Sequence, residues 1–453
     1  MAKRRLFTRD RGFYRTFLPL LLVITLQQLA ALAVNLVDNL MLGRYTELAL
    51  SGANLVNQLQ FILQQLVAGA GMGVAVLGAQ YWGKKDIPPI RRITSVGLKF
   101  SLAAGLLFFL VTLLAPHGVL RVFTQDEAVI GEGMRYLRIM CWTYLIFAVS
   151  NTLMYSLQSV ETAFIGTVMS LSTICINAVL NYCLIYGNFG APELGIAGAA
   201  VATLTSRVVE LLIILVYLFF IDKKLRIRPK HLLSFDMEYL KDFVHVSLPV
   251  MVSGALWGVS QGAQTAILGH MSATVIAANS IASVIFQLFV VVGMSSANAA
   301  SVTIGKTVGE GRLDAVKEYA RTLQIIFLII GLCSGLLIFL FRGPSVGLYT
   351  VSPEAKELSL QFLLILALTS VGSCYEFPVE GGIIAGGGNT RYQAICDNLF
   401  MWLFTIPSAA VSAFVFHASP VVVFCFLKAD QFLKCIPNGI VVNRYRWIRR
   451  LTR

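Results

Sequence analysis

Apolar stretches long enough to cross a lipid bilayer recur along the whole chain. With 57% hydrophobic and only 13% charged residues, the 453-residue chain could not cover itself with a polar surface in water. A bilayer span needs about 20 mainly apolar residues in helical form, since the backbone must satisfy its own hydrogen bonds there. The stretches predict an all-α integral membrane protein with twelve transmembrane helices, near residues 14–41, 50–80, 96–116, 133–160, 164–187, 195–221, 243–269, 275–304, 322–341, 357–386, 393–416 and 420–441.

The second half of the chain repeats the pattern of the first half at a nearly constant separation along the sequence. The aligned pairs are Pro19 with Pro249, Leu42-Gly43 with Leu268-Gly269, Asn54 with Asn279, Gly78 with Gly305, and Glu161-Thr162 with Asn389-Thr390. Such repeats are typical of secondary transporters, which form a central site between them. We therefore expect two pseudo-symmetric six-helix bundles around a central cavity. The polar segment 223–241 is the predicted cytoplasmic linker between lobes at 1–222 and 242–453.

Basic residues cluster at alternate ends of the predicted spans. The clusters are Lys3, Arg4, Arg5, Arg9, Arg11 and Arg15; Lys84, Lys85, Arg91 and Arg92; Lys223, Lys224, Arg226, Arg228 and Lys230; Arg312, Lys317 and Arg321; and Arg444, Arg446, Arg449, Arg450 and Arg453. Cytoplasmic loops carry the excess of Lys and Arg. We expect a multi-pass protein of the plasma (inner) membrane with both termini in the cytoplasm.

The formal net charge of +13 does not indicate nucleic-acid binding, because it is spread over short loops at helix ends. Contact with the anionic headgroups of membrane lipids explains it better. The loops are too short for a nucleotide-binding or catalytic domain. Transport would then be passive or driven by an ion gradient, without a cofactor.

Asp38 is the sharpest candidate for a functional charge, because a carboxylate inside a membrane is costly and rarely kept without a role. Asn177 and Asn181 are spaced i, i+4 in span five and share a helix face, and Thr203 in span six could add a hydroxyl nearby. Such a set can bind a proton, or Na⁺ through hard oxygen ligands. If span one ended near Asn39, Asp38 would be an interfacial structural residue instead.

The second half carries further charges inside its predicted spans. Glu376 and Glu380 in span ten are four residues apart and form a like-charge pair unless a proton or cation joins them. They are candidates for carrying protons or binding a cationic substrate, with pairing to Lys428 or Lys434 as the alternative. Lys428, Asp430 and Lys434 in span twelve correspond to Arg207 and Glu210 of span six, which we expect to neutralise each other.

Several motifs together resemble the multidrug and toxic compound extrusion (MATE) family over nearly the whole chain. They are Pro19, Val37-Asp38-Asn-Leu-Met-Leu-Gly43, Leu77-Gly78-Ala-Gln-Tyr-Trp-Gly83-Lys-Lys-Asp86, Asn177-Ala-Val-Leu-Asn181 with Gly187, Gly195-Ile-Ala-Gly-Ala-Ala-Val-Ala-Thr203, Gly305-Lys-Thr-Val-Gly309-Glu-Gly-Arg312, and Gly386-Gly-Gly-Asn389-Thr390. The resemblance implies two six-helix bundles that export organic cations or other amphipathic compounds in exchange for H⁺ or Na⁺.

The resemblance also implies roles for single residues. The family's first-lobe cation site falls on Asp38, Asn177, Asn181 and Thr203, and Pro19 matches a proline associated with bending of the first helix. Asn181 stands where many members have a second acid, which leaves Asp38 as the sole titrating group of that lobe. Coupling through the first lobe is favoured, because span seven lacks the acid of second-lobe-coupled members.

We therefore predict a monomeric multidrug antiporter with a small organic cation or amphipathic compound as its substrate. The first alternative is a flippase for a lipid-linked precursor, a class of related fold. It would need a basic cavity for pyrophosphate, to which Arg207, Lys428 and Lys434 could contribute. The second alternative, a membrane enzyme or scaffold, has no combination of nucleophile, base and metal ligands to support it.

Overall fold

The computed structural model describes residues 6–233, 236–349 and 351–452, which form helices and no strand. The basic residues Lys3, Arg4, Arg5 and Arg453 and the linker residues 234–235 lie outside this part of the chain. Two short helices, Pro116–Arg121 and Pro229–Leu233, and a 3₁₀ turn at Asn188–Gly190 connect the long helices and carry no labels below.

The first six long helices follow the first six predicted spans. They are α1 (Arg11–Tyr45), α2 (Glu47–Gly83), α3 (Ile87–Leu114), α4 (Glu127–Ser159), α5 (Phe164–Tyr186) and α6 (Ile196–Val216), which continues as a π-helical turn at Tyr217–Ile221.

The last six helices follow the second set of predicted spans and are less regular. They are α7 (Met237–Met271), α8 (Ala273–Gly309), α9 (Leu313–Gly347), α10 (Pro353–Phe377, then a π-helical segment at Pro378–Ile384), α11 (Thr390–Phe400 and Ile406–Phe414, joined by a π-helical segment at Met401–Thr405) and α12 (Pro420–Lys428, Asp430–Leu433 and Cys435–Arg444).

Eleven helices of the described residues are long and apolar enough to cross a membrane. The twelfth predicted span, 420–441, coincides with α12, whose three pieces are each too short to qualify alone. Pro437 contributes to the second break, because it has no N–H to donate to the carbonyl of Leu433 and its ring crowds that carbonyl. The break lies at Lys434, which lines a polar site described below.

The chain divides into two compact units. One contains residues 1–25 and 252–453, and the other contains residues 26–251. Helices α1 and α7 therefore each contribute their first part to one unit and the remainder to the other. Each contains a proline shortly before this change, Pro19 and Pro249. The lobe boundaries at 222 and 242 stay a prediction. Unlike these boundaries, the two units group the described residues 6–25 with the second half of the chain and residues 242–251 with the first half.

The internal repeat extends to how individual helices end. Helix α2 ends in a Schellman motif at Lys85, and α8 ends in the same motif at Gly311, with one 6→1 and one 5→2 backbone hydrogen bond each. The helix ends at Glu161 and Gly388 form a second matching pair. All four residues have positive φ, which glycine adopts without strain. The separation within each pair agrees with the one that the sequence repeat predicted.

The repeat also extends to how helices begin. Side chains at corresponding positions accept hydrogen bonds from the free backbone N–H groups of the first turn. Thr46 caps α2 and Ser272 caps α8, while Asp126 caps α4 and Ser352 caps α10. Both pairs have the same separation along the chain, so the two halves share the positions of these helix starts.

Small residues let α2 pack closely within the unit of residues 26–251. A Cβ atom added at Gly71 would lie 2.1 Å from the ring of Tyr155, and one at Gly69 would lie 2.7 Å from the backbone of Met251. Close packing of this kind holds helices together in lipid, where the hydrophobic effect does not drive their association. The glycine-rich stretch of α2 is thus a packing surface for α4 and the first part of α7.

The segment before α1 is attached to α9 within the other unit. The backbone N–H of Thr8 donates to Thr322 Oγ1 at 2.9 Å. The carboxylate of Asp10 accepts from the Tyr319 hydroxyl and from the Arg312 guanidinium, the latter at 2.8 Å. The hydrogen bond from Tyr319, followed by that from Arg312, lowers the pKa of Asp10 from 3.8 to about 2. The ionised form of Asp10 therefore stabilises this attachment.

Candidate functional site

Helices α1, α5 and α6 bring together all four residues of the predicted first-lobe site. Helix α1 continues for seven residues beyond Asp38 to Tyr45, so Asp38 lies about 10 Å from the helix end. It is partly buried, whereas Asn177 and Asn181 are 1% and 0% exposed. The helix itself continues past Asn39, whereas the end of the membrane span, on which the interfacial alternative for Asp38 depended, stays a prediction.

A chain of side-chain hydrogen bonds connects the four residues. Asn181 Nδ2 donates to Asp38 Oδ1 and also to Asn177 Oδ1, the latter at 3.0 Å. Asn177 Nδ2 in turn donates to Thr203 Oγ1 at 3.3 Å. The i, i+4 spacing of the two asparagines thus produces the shared face that the sequence predicted.

One oxygen of this site has no hydrogen-bond partner. Asn181 Oδ1 is buried and accepts no hydrogen bond among the described residues. If the amide turned over, this oxygen would face Asp38, where it could accept a hydrogen bond from a neutral carboxyl group or bind a cation. Carboxylate, amide and hydroxyl oxygens are suitable ligands for a hard cation. The residues therefore fit Na⁺ as well as a proton.

Arg207 and Glu210 lie on the same helix as Thr203 and form the ion pair expected from their spacing. Arg207 Nη1 lies 2.7 Å from Glu210 Oε2, and the guanidinium stands 5.3 Å from the ring centroid of Phe147. The charge of Arg207 is thus neutralised locally, which leaves less positive charge for binding a pyrophosphate group.

A second polar site lies where α10, α11 and α12 are irregular. Pro378 cannot donate a backbone hydrogen bond, and α10 widens into a π-helical segment from this residue. Glu376 precedes the wide segment and Glu380 lies within it. Asp397 comes from α11, Asp430 begins the short middle piece of α12, and Lys434 follows that piece. Such π-helical segments are frequent at functional sites.

Lys434 is the centre of this second site. Its Nζ atom lies 3.1 Å from Asp397 Oδ1, 3.2 Å from Glu376 Oε2 and 3.6 Å from Asp430 Oδ2. Glu380 accepts a hydrogen bond from Asn438 Nδ2 at 2.5 Å through its Oε1 atom. We call Glu376, Glu380, Asp397, Asp430, Lys434 and Asn438 the second-lobe cage.

The second-lobe cage contains more negative than positive charge. Carboxylate oxygens of Glu376, Glu380 and Asp397 lie within 4.8 Å of one another. Glu380 is 1% exposed, and its Oε2 atom has no hydrogen-bond partner among the described residues. Four carboxylates and one ammonium give a formal charge of −3 if all are ionised. Since repulsion in a buried site disfavours that state, the cage favours uptake of a proton or cation.

Lys428 does not join the second-lobe cage. Its ammonium group lies 5.6 Å from the ring centroid of Phe424 and forms no recorded ion pair in the described part of the chain. Of the two lysines considered as partners for the span-ten acids, Lys434 pairs with Glu376, whereas Lys428 forms a cation–π contact instead.

Sequence reasoning missed two members of the second-lobe cage, Asp397 and Asn438. Asp397 lies inside predicted span eleven. An intramembrane carboxylate is a functional candidate, and this rule, which singled out Asp38, would also have identified Asp397. Asn438 is four residues after Lys434 and shares its helix face. What the sequence could not show is that three helices bring these groups together.

Long apolar helices that enclose buried charges are typical of multi-pass membrane transporters. A family model described as MatE matches residues 24–183 and 249–411, which is more than half of the chain. The chain belongs to this family, the MATE transporters. The prediction of twelve membrane-spanning helices in two six-helix bundles is thereby confirmed, as is the family resemblance.

Curated relatives and solved structures agree with this assignment. The probable multidrug resistance protein NorM of Listeria monocytogenes serotype 4b (strain F2365) is 25% identical over 87% of this chain and 86% of its own. A crystal structure of MATE in the bent conformation gives a TM-score of 0.85 at 21% identity, covering 97% and 98% of the two chains. A MOP superfamily transporter from Pyrococcus furiosus, for which reversed polarity of the binding pocket suggests a different function, gives 0.87 at 20% identity over 99% and 100%.

Proposed function

We propose that the protein is a secondary active multidrug exporter. It would export organic cations or amphipathic compounds by antiport with H⁺ or Na⁺ through alternating access. The observation that carries this proposal is the contact of Asp38 with buried Asn181, Asn177 and Thr203 inside the helical bundle. The NorM relatives, named as probable multidrug resistance proteins, support the substrate class.

Asp38 would couple the ion to the conformational cycle by changing the hydrogen bonds of α1. Ionised Asp38 accepts from Asn181 Nδ2. After protonation it can instead donate to Asn181 Oδ1, provided that the amide turns over. An ion that binds one conformation better than another shifts the population towards it, and the substrate needs only the opposite preference. If the ion is Na⁺, oxygens of Asp38, Asn177, Asn181 and Thr203 would hold it.

The second-lobe cage would bind a further proton or the positive charge of the substrate. Glu376, Glu380 and Asp430 are each 6% exposed or less, and only Lys434 opposes them with a positive charge within the cage. Because intramembrane charges that exceed their partners are costly, a permanent structural role alone explains this excess poorly. Lys428 lies outside the cage and would act on it only through its long-range charge.

A lipid-linked precursor flippase is the alternative function. Its diphosphate substrate would need a surplus of positive charge, whereas Arg207 is paired with Glu210 and Lys434 is surrounded by carboxylates. The charge distribution therefore favours a cationic substrate. We place the protein in the plasma membrane as a monomer without a cofactor, with both termini in the cytoplasm in accord with the distribution of basic residues.

The test is gradient-driven efflux of ethidium from proteoliposomes, under an imposed proton or sodium gradient. Asp38→Asn should remove the gradient-driven component while the protein stays folded, since the amide cannot gain or lose a proton. The matched control is Asp314→Asn, which makes the same substitution at a fully exposed side chain and should leave efflux unchanged. Unchanged efflux in Asp38→Asn would refute coupling through Asp38. Absence of efflux in the folded wild type under both gradients would favour a narrow-substrate exporter or the flippase.

The double substitution Glu376→Gln with Glu380→Gln tests the second-lobe cage. It removes two negative charges while keeping the side-chain shapes, so we expect an increase in KM for cationic substrates of roughly tenfold or more. Transport of a neutral amphipathic compound by the same variant provides the control. Equal KM values for cationic substrates in wild type and variant would assign these acids a structural role.

A further inference from the structure

We propose that the groove between α9, α10 and α12 binds an anionic phospholipid of the surrounding bilayer. The groove lies within the unit of residues 1–25 and 252–453 and has a volume of about 610 Å³. Its lining includes Arg321, Leu328, Val371 and Phe432. This inference is independent of the transport function proposed above.

The apolar part of the groove opens to the outside of the helices. Phe432 and Leu328 are 48% and 41% exposed although both lie inside predicted membrane spans. At this depth in the membrane we expect their exposed faces to contact lipid. Gly372 forms part of the lining where α10 approaches α12 closely, since a Cβ atom there would lie 2.4 Å from the Gln431 carbonyl oxygen. An open apolar groove at this depth fits an acyl chain.

The polar end of the groove lies at the edge of the membrane spans. Arg321 immediately precedes predicted span 322–341, and Asn443 follows predicted span 420–441 by two residues. Gln324 Oε1 accepts from the Tyr375 hydroxyl at 2.9 Å and from Asn443 Nδ2 at 3.2 Å. These three neutral groups satisfy one another. Arg321 is the one charged residue in the described lining of the groove, so we assign recognition of the headgroup to it.

Arg321 is positioned for this contact and has donors to spare. Its Nε atom donates to the Tyr445 hydroxyl at 2.8 Å, and its guanidinium carbon lies 5.7 Å from the centroid of that ring. In the described part of the chain its Nη atoms have no recorded partner. Glu318, one turn earlier on α9, forms no recorded ion pair with it there. Arginine forks match phosphate oxygens, and basic pockets between transmembrane helices bind acidic headgroups.

The headgroup should decide which lipid occupies the groove. An acyl chain gains little by leaving other lipid chains for an apolar protein surface, because the two environments are equally apolar. One basic residue near the headgroups contributes a preference for anionic over zwitterionic lipid of about fivefold. We therefore expect the protein to retain one molecule of phosphatidylglycerol at a lipid concentration about fivefold lower than that needed to retain one molecule of phosphatidylcholine.

Native mass spectrometry of the full-length protein can count the lipids retained during titration with each of these two. Arg321→Gln should abolish the preference for phosphatidylglycerol at this one site. Arg321→Lys should keep part of it, because the positive charge remains. The matched control is Arg342→Gln on the same helix, which should leave the preference intact. Glycerol phosphate, a soluble headgroup without acyl chains, should not be retained at the concentrations at which phosphatidylglycerol is retained.

Two results would overturn the proposal. An equal preference in wild type and Arg321→Gln would mean that the basic chain ends attract acidic lipid without a defined site. Absence of a preference in wild type would exclude selective binding altogether. Should Arg321→Gln not fold, Leu328→Trp fills the apolar part of the groove and leaves the headgroup contact unaltered. It should reduce the retained lipid by one molecule, and an unchanged number would contradict the assigned groove.

Discussion

Removal of the Lys434 ammonium is the most direct test of the second-lobe cage. In Lys434→Met the side chain keeps a similar length but loses contacts of 3.1, 3.2 and 3.6 Å with three carboxylates. At an effective dielectric constant near 20, each contact of about 3.2 Å is worth roughly 5 kcal/mol of Coulomb attraction. The cost of removing Lys434 from water offsets much of that sum.

The net effect follows from what the substitution leaves behind. The formal charge of the cage changes from −3 to −4, and breaking a buried ion pair by removing one partner costs about 3–5 kcal/mol. We expect that loss in the free energy of unfolding, measured by titration from a mild detergent into a denaturing one. Adding Glu376→Gln restores the formal charge to −3, so the double variant should recover at least half of the loss.

Lys428→Met is the matched control for this experiment. The same substitution six residues earlier on α12 removes a cation–π contact with Phe424 and no recorded ion pair among the described residues. Such a contact is worth about 0.5–1 kcal/mol at a partly exposed site. A loss for Lys434→Met no larger than that for Lys428→Met would refute the electrostatic account of the cage. Failure of Glu376→Gln to rescue would show that packing, not charge, explains the loss.

Two further predictions concern packing and pH. Gly71→Ala should destabilise the protein by about 1–3 kcal/mol, because the new methyl group would overlap the Tyr155 ring, whereas Gly131→Ala has open space and should not. Equal thermal stability of both variants would contradict this packing. Asp10→Asn should cost about 0.5–1 kcal/mol near pH 6, since the site is partly exposed. Because the pKa of Asp10 is lowered to about 2, its stabilising contribution is present above pH 4 and is lost as the pH falls towards 2. Thermal unfolding of both proteins across this range checks it, and a difference that persisted at pH 2 would refute it.

Hydropathy predicted the existence of the spans well but their ends less well. Helix α3 begins at Ile87, nine residues before predicted span 96–116, and α9 begins at Leu313, nine residues before predicted span 322–341. Helices extend beyond the apolar core into polar surroundings, where hydropathy carries no signal and caps set the ends. Pro88 and Pro89 in the first turn of α3 were visible in the sequence as a helix-start signal.

The two polar sites differed in how far the sequence could predict them. The first-lobe site uses an i, i+4 pair on one helix, a pattern that spacing reveals, and the cost of a carboxylate inside a membrane singled out Asp38. The second-lobe cage depends on where Glu380, Asp397 and Lys434 lie in three irregular helices. A π-helical segment changes the angular spacing of side chains, so i, i+4 arithmetic on an ideal helix could not place Glu380 relative to Asp397.

The two halves have kept their backbone motifs and changed their interior charges. Corresponding helix caps and Schellman motifs recur at almost identical separations along the chain, because every helix end must satisfy its free N–H and carbonyl groups. Interior side chains have no such common requirement. The first-lobe site becomes neutral on binding one positive charge at Asp38, whereas the second-lobe cage keeps negative charge after binding one. In the proposed cycle, one monovalent ion at Asp38 would neutralise the first-lobe site, while the fully ionised second-lobe cage would still attract a cationic substrate. From this asymmetry we would expect separate roles for the ion and the substrate in the two lobes.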